Sequence, residues 1–128
     1  MGDRGYGSVL ALALLFGGIL LVGLAVDVAR LVSAWQEASH VAHSAAEVGA
    51  GWVDPDGLYA GLLELDRPSA REAAERFIEA TDLDGSVRIR DGRVCVSVST
   101  RVRPGITRLV GAGAQRVEVT ACAEPRQG

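Results

Sequence analysis

The chain has 128 residues, a length typical of one small domain, and 48% of them are hydrophobic while only 5% are aromatic. Its 13 basic residues are all Arg, and the formal net charge of −3 with a pI near 5.3 argues against a nucleic-acid-binding protein. Two Cys are too few for a disulfide-dense scaffold or a Cys-rich zinc module. A mean hydropathy of +0.21 is high for a soluble domain, and the apolar residues are distributed very unevenly along the chain.

The most apolar segment lies near the N-terminus. Every residue from Val9 to Val26 is apolar or Gly, and a helix of that length spans about 27 Å, close to the ~30 Å hydrocarbon core of a bilayer. We predict a transmembrane segment at 9–26 of a single-pass cell-membrane protein. The alternative is a signal peptide cleaved near Gly23-Leu24-Ala25, although the apolar segment exceeds the roughly 7–15 residues typical of such a peptide.

The predicted orientation places the N-terminus inside. Residues 1–8 form a short cytoplasmic N-terminus, which is easily left on that side of the membrane, whereas the C-terminal part has the composition of a folded domain. Asp27 directly follows the apolar segment, where an acid within hydrocarbon would be costly, and Arg30 lies one helical turn further. We interpret both as membrane-boundary charges that pair with each other. The alternative is that Asp27 pairs with an Arg of a neighbouring subunit and sets the helix register.

The helical pattern continues through residues 27–50. Apolar and small side chains recur there every three or four positions, and His40, His43 and Glu47 lie close together elsewhere on the same helix. Because no fourth ligand accompanies these three residues, we predict a solvated polar face and no metal site. The small side chains permit close approach of another helix; the alternative is that they pack on the protein's own head. The stripe consists of Val28, Leu31, Val32, Trp35, Ala38, Ala42, Ala45, Ala46 and Gly49.

Residues 51–128 are predicted to form an extracytoplasmic head. Asp66 is suited to cap a helix that runs to about Thr81, and after it the period of the apolar residues becomes two. Asp91-Gly92 predicts a hairpin that pairs 87–90 with 93–96, and a third strand follows at about 115–123. The predicted fold class is α+β: a long N-terminal transmembrane, pilin-like helix, then a small head with one or two helices on a three-stranded, mainly antiparallel sheet.

Few residues are suited to chemistry. Cys95 and Cys122 both fall in the outward register of their strands, which favours a disulfide outside the cytoplasm over two unpaired thiols on different sheet edges. The sequence contains neither a phosphate-binding Gly-rich loop nor G-x-S-x-G, and both His precede residue 44, so no downstream His serves a nucleophile. We therefore expect no enzymatic activity, no catalytic residue, no cofactor, no small-molecule substrate and no nucleic-acid partner.

The order of the sequence segments adds a resemblance. The chain reads DRGYGSVLALALLFGGILLVGLAVDVAR, LVSAWQEASHVAHSAAEVGAGWVD, LDRPSAREAAERFIEA, RVCVSVSTRV and ITRLVGAGAQRVEVTACAEP. In order, these segments are a charged start, an apolar anchor with an acid after it, an Ala-rich helix ending at Val53-Asp54, a second helix starting at Leu65-Asp66, and Val-rich strands. This order resembles the TadE/TadG-like Flp pilus-assembly family. More closely, nearly the whole chain resembles the short actinobacterial TadG-like members.

The resemblance implies a minor pilin-like component of a tight-adherence (Tad, type IVc) system at the cell surface. Its implied partners are membrane lipid and other pilin-like or Tad-machinery membrane proteins. Proteins of this kind are often cut after a Gly by a prepilin peptidase, with Glu at the fifth mature position; the candidate processing junction here, Gly7-Ser8, would place Leu12 there instead. The alternative function is a membrane-anchored or secreted extracytoplasmic binding or adhesion module unrelated to a pilus.

Overall fold

The computed structural model describes residues 3–111 and 113–126. A long helix is followed by two shorter helices and a three-stranded antiparallel sheet, which confirms the predicted α+β class. The elements are α1 (Asp3–Ala50), α2 (Pro55–Tyr59), α3 (Arg67–Glu79), β1 (Asp84–Arg90), β2 (Arg93–Val102), a 3₁₀ turn (Thr107–Val110) and β3 (Gln115–Ala123).

Helix α1 is continuous but has two different environments. Its N-terminal part, including Leu15, Phe16 and Leu21, exposes large apolar side chains, and its length and composition are sufficient to cross a membrane. Its C-terminal part is covered by the rest of the protein, since the side chains between Ala38 and Ala50 that face the head are almost fully buried. One helix therefore provides both the exposed apolar segment and the longest element of the folded head.

The sheet has the order β1-β2-β3, so β2 is central. The β1–β2 hairpin turns at Asp91-Gly92, where φ is 51° and 73°, as a type I′ turn requires at both central residues. This turn pairs Ile89 with Val94, which places the apolar side chains of both strands on one face. Strand β3 then pairs with β2 along its whole length, from Val94 opposite Ala123 to Val102 opposite Gln115.

The core of the head is thin because small side chains form most of it. Ala residues of α1 and α3 pack against Val94, Val96 and Val98, which are the largest fully buried side chains. A Cβ atom on Gly49 would lie 2.9 Å from the carbonyl oxygen of Ala70 and 3.0 Å from Cγ1 of Val94, so α1 approaches its neighbours closely at this point. The small residues from Ala38 onward are thus covered by the protein's own head, by α3 and the sheet.

Helix α3 begins at the predicted cap and ends slightly early. The Asp66 carboxylate accepts hydrogen bonds from the backbone N–H of Ser69 at 3.5 Å and from its hydroxyl at 2.7 Å. The helix ends at Glu79, two residues before the predicted Thr81, because the Thr81 hydroxyl donates to the Ile78 carbonyl at 2.7 Å and closes the last turn. This helix packs on β1, alongside α1, which packs on β2 and β3.

Candidate functional site

Asp27 connects the end of the apolar segment to a loop of the head. The loop is the β2–β3 connection, residues 103–111 and 113–114. Oδ1 of Asp27 accepts a hydrogen bond from the Gly105 N–H at 2.8 Å, and Oδ2 accepts from the N–H groups of Ile106 at 3.1 Å and Thr107 at 2.9 Å. The Thr107 hydroxyl adds a further bond to Oδ2 at 2.9 Å. We call this set of bonds the Asp27 contact.

These bonds stabilise the charged form of the carboxylate. Hydrogen bonds from the backbone of Thr107 and then of Gly105 favour the ionised form and lower the pKa of Asp27 from 3.8 to about 2. Asp27 is therefore an anion at neutral pH, and it is matched by backbone donors instead of by a cation. The donors all belong to the same chain, so the contact holds the loop on the helix and does not by itself supply a reactive group.

Two Gly residues allow this close approach. The side chain of Ile106 lies directly on Gly23, where an added Cβ would be only 1.9 Å from Cδ1 of Ile106. On the loop side, a Cβ on Gly105 would lie 3.0 Å from Nη1 of Arg30 and 3.1 Å from Oδ1 of Asp27. A larger residue at Gly23 would displace the Ile106 side chain, and one at Gly105 would crowd the ends of the Arg30 and Asp27 side chains.

The predicted pairing of Asp27 with Arg30 is wrong. Within the described residues the two side chains form no ion pair, because both carboxylate oxygens of Asp27 face the loop backbone. The Arg30 guanidinium lies beside Gly105 instead. Sequence reasoning interpreted Asp27 as a membrane-boundary charge and missed its partner in the head, which lies 78–80 positions away. The local signal, Pro104-Gly105, predicts a turn without indicating what the turn contacts.

The two cysteines meet on the outer side of the sheet. Cys95 and Cys122 are register partners on β2 and β3, with Cα atoms 4.0 Å apart, and they form a disulfide. Next to them, the hydroxyls of Ser97 and Thr120 are hydrogen-bonded at 2.9 Å. The disulfide therefore joins the central strand to one edge strand on the face opposite the buried valines.

The other residues singled out by the sequence lie on exposed parts of α1. Gly7 and Ser8 are helical and exposed, and the Ser8 hydroxyl donates to the Gly5 carbonyl at 3.2 Å. Nδ1 of His43 lies 2.8 Å from the Ser39 carbonyl. Across the part of the chain that the structure describes, no three His, Cys, Asp or Glu side chains lie close enough together to hold a metal ion.

Beyond the Asp27 contact, the same loop exposes apolar side chains. Leu109 and Val110, in the 3₁₀ turn, are 87% and 85% exposed. An open apolar groove of about 630 Å³ runs along α1 beside Ile106, lined by residues that include Leu15, Ile19 and Val22. The site is therefore a polar contact at the boundary of an apolar surface. No family model, no curated protein and no solved structure matches this chain.

Proposed function

We propose that the protein is a non-enzymatic, single-pass, pilin-like component of a tight-adherence (Flp) pilus assembly system, with its N-terminus in the cytoplasm and its head outside. The observation that carries the proposal is the continuity of α1 from Asp3 to Ala50. Because the anchoring half and the head-bearing half belong to one helix, contacts between the helices of neighbouring subunits would fix the positions of their heads. The resemblance of the sequence to TadE/TadG-like proteins supports the same function.

A strip of exposed apolar side chains on α1, on the head side of Asp27, supports contact with such a neighbour. Leu31, Val32 and Trp35 are exposed although they lie outside the apolar segment, and Trp35 is about 12 Å along the helix axis from Asp27. The strip forms one wall of a groove of about 570 Å³ whose other wall is the start of β3. Contiguous exposed apolar side chains in water are typical of protein-interaction surfaces. Another helix, lying alongside α1, fits this groove.

Photo-crosslinking in the membranes of the cell that carries the gene tests this function. A photoreactive residue replaces Trp35, and in a matched variant it replaces Trp52; the two side chains are 54% and 52% exposed, but Trp52 follows the far end of α1. We expect adducts at position 35 with other single-span pilin-like or Tad-machinery proteins, identified by mass spectrometry, and few at position 52. Adducts at position 35 with an unrelated surface ligand would favour the alternative binding or adhesion module and contradict the pilus function.

The topology is tested separately. Protease added to spheroplasts should digest a C-terminal tag, because the head lies outside, and a fully protected tag would refute this orientation. Mass spectrometry of the mature N-terminus distinguishes three states. An intact N-terminus or one at Ser8 retains the anchor, whereas an N-terminus at Val26 would show that a signal peptide is removed and that the anchor does not exist.

A further inference from the structure

We propose that the β2–β3 connection is a second membrane contact, which places Leu109 and Val110 in the outer leaflet beside α1. The proposal rests on the anchoring of α1 within the proposed function. Two adjacent aliphatic side chains are left almost fully exposed in the 3₁₀ turn, at 87% and 85%. A loop that exposes such side chains to water gains free energy when they enter an apolar phase. Whether Leu109 and Val110 can enter the lipid depends on where the 3₁₀ turn lies along α1.

The position of the loop relative to the membrane follows from its contacts with α1. Asp27, the first charged residue after the apolar segment, holds the backbone from Gly105 to Thr107. Ile106 then extends toward the membrane and covers Gly23, which lies four residues, or about 6 Å, deeper along the helix axis than Asp27. The β2–β3 connection therefore extends beyond Asp27, in the direction of the membrane, and lies beside the last turns of the apolar segment. Leu109 and Val110 follow this fixed point by only a few residues.

The charges around the loop fit an anionic lipid surface. From residue 101 to residue 116 the chain contains four Arg and no Asp or Glu. Arg103 and Arg108 are exposed on either side of the fixed backbone, and the Arg30 guanidinium lies beside Gly105. The Asp27 carboxylate offsets one of these charges, so Arg30, Arg103 and Arg108 leave a net positive charge around the loop. Exposed Arg next to aliphatic side chains matches phosphate headgroups above acyl chains.

The groove beside Ile106 favours lipid over a protein partner at this level. It is bordered by Ile19 and Val22 of the apolar segment on one side and by Ile106 on the other, and it is open along its length. At this depth the medium around a single-pass anchor is acyl chain, so lipid fills the groove without any partner. A neighbouring subunit fits the strip at Trp35 better, because that strip lies above the boundary, where water would otherwise cover it.

Fluorescence quenching in vesicles tests the contact with the full-length protein. Leu109→Cys is labelled with an environment-sensitive fluorophore in vesicles of equal parts phosphatidylglycerol and phosphatidylcholine, with and without lipids that carry a nitroxide near the top of the acyl chain. Matched labels replace Tyr59, which is 94% exposed in α2 after the far end of α1, and Leu21, within the anchor. We expect the labels at 109 and 21 to lose most of their emission, and the label at 59 to lose none.

Three outcomes overturn the proposal in different ways. Quenching at 21 without quenching at 109 refutes the loop contact and leaves the anchor intact, whereas no quenching at 21 refutes the anchor itself. A label at 109 that shifts to shorter wavelength yet resists lipid quenching shows that protein, such as a second copy, covers the turn. As a second variant, Gly23→Leu displaces Ile106 and should abolish quenching at 109 while quenching at 21 persists; unchanged quenching at 109 would show that the contact with Gly23 does not set the depth.

Discussion

Removal of the Cys95–Cys122 disulfide should destabilise the head strongly. The change is the double substitution Cys95→Ser with Cys122→Ser, which leaves two small polar side chains on the outer face of β2 and β3. Apart from the β2–β3 backbone ladder, only a thin Ala- and Val-rich core holds these strands in the head. A domain of this size is stable by only about 5–15 kcal/mol, so the loss of one cross-link is a large part of the total.

The size of the effect follows from the loop that the disulfide closes. The two cysteines are separated by 27 positions in the sequence. The chain-entropy relation for a loop of that length gives about 3.6 kcal/mol at 25 °C, because the cross-link restricts the unfolded chain. With a urea dependence of about 1.8 kcal/mol per M, the unfolding midpoint should fall by about 2 M. The slope of the unfolding free energy against urea concentration should also rise, since the unfolded chain without the disulfide is more expanded.

Urea unfolding of the full chain in detergent micelles measures this change. Tryptophan emission is a suitable signal, because the Trp52 carbonyl accepts a hydrogen bond from the Asp66 N–H at 3.0 Å and this part of the head separates on unfolding. Reduction of the wild-type protein should reproduce the midpoint of the double variant. Thr120→Val is the matched control: it removes only the hydroxyl pair beside the disulfide, which is worth about 1 kcal/mol or less.

A loss below about 1 kcal/mol in the double variant would refute the reasoning. In that case the unfolded chain must already be restricted near the β2–β3 pairing, so that the cross-link removes little further entropy. A large loss in the double variant but none on reduction would point instead to poor packing of the introduced serines. Agreement between the two perturbations isolates the bond itself.

Two further predictions concern α1. The folded pKa of Asp27, about 2, is below its ordinary value of 3.8, so the Asp27 contact stabilises the loop above about pH 4 and is lost as the pH falls through about 2. The backbone N–H resonance of Thr107 should titrate with a midpoint near pH 2; a midpoint near 3.8, or no titration, would contradict the contact. Gly49→Ala should destabilise the head by about 1–2 kcal/mol in urea unfolding, because the new Cβ meets the Ala70 carbonyl at 2.9 Å. Gly17→Ala, in the same helix with no atom within 4 Å of the added Cβ, should not lower the midpoint, and an equal loss in both variants would show that crowding at position 49 is not the cause.

The stripe along α1 shows where sequence reasoning reaches its limit. Its three- and four-residue spacing predicts one apolar helical face, and the structure forms a continuous helix through it. Periodicity does not indicate which part of that face is buried by the rest of the protein. The sheet and α3 bury it from Ala38 onward, whereas Leu31 and Trp35 stay exposed, because they border an open groove between α1 and the start of β3.

The elements of this protein were determined locally, by its sequence alone. The apolar segment, the Asp66 cap and the Asp91-Gly92 turn act over a few residues, so each predicts a helix, a helix start or a hairpin register without knowledge of the rest of the chain. The tertiary structure alone decided which distant groups meet. Placing β3 beside β2 pairs Cys95 with Cys122, and it also brings the loop before β3 to Asp27 across 78–80 positions. Strand order and loop docking depend on the packing of the whole head on α1, and no spacing within a short stretch of sequence encodes that packing.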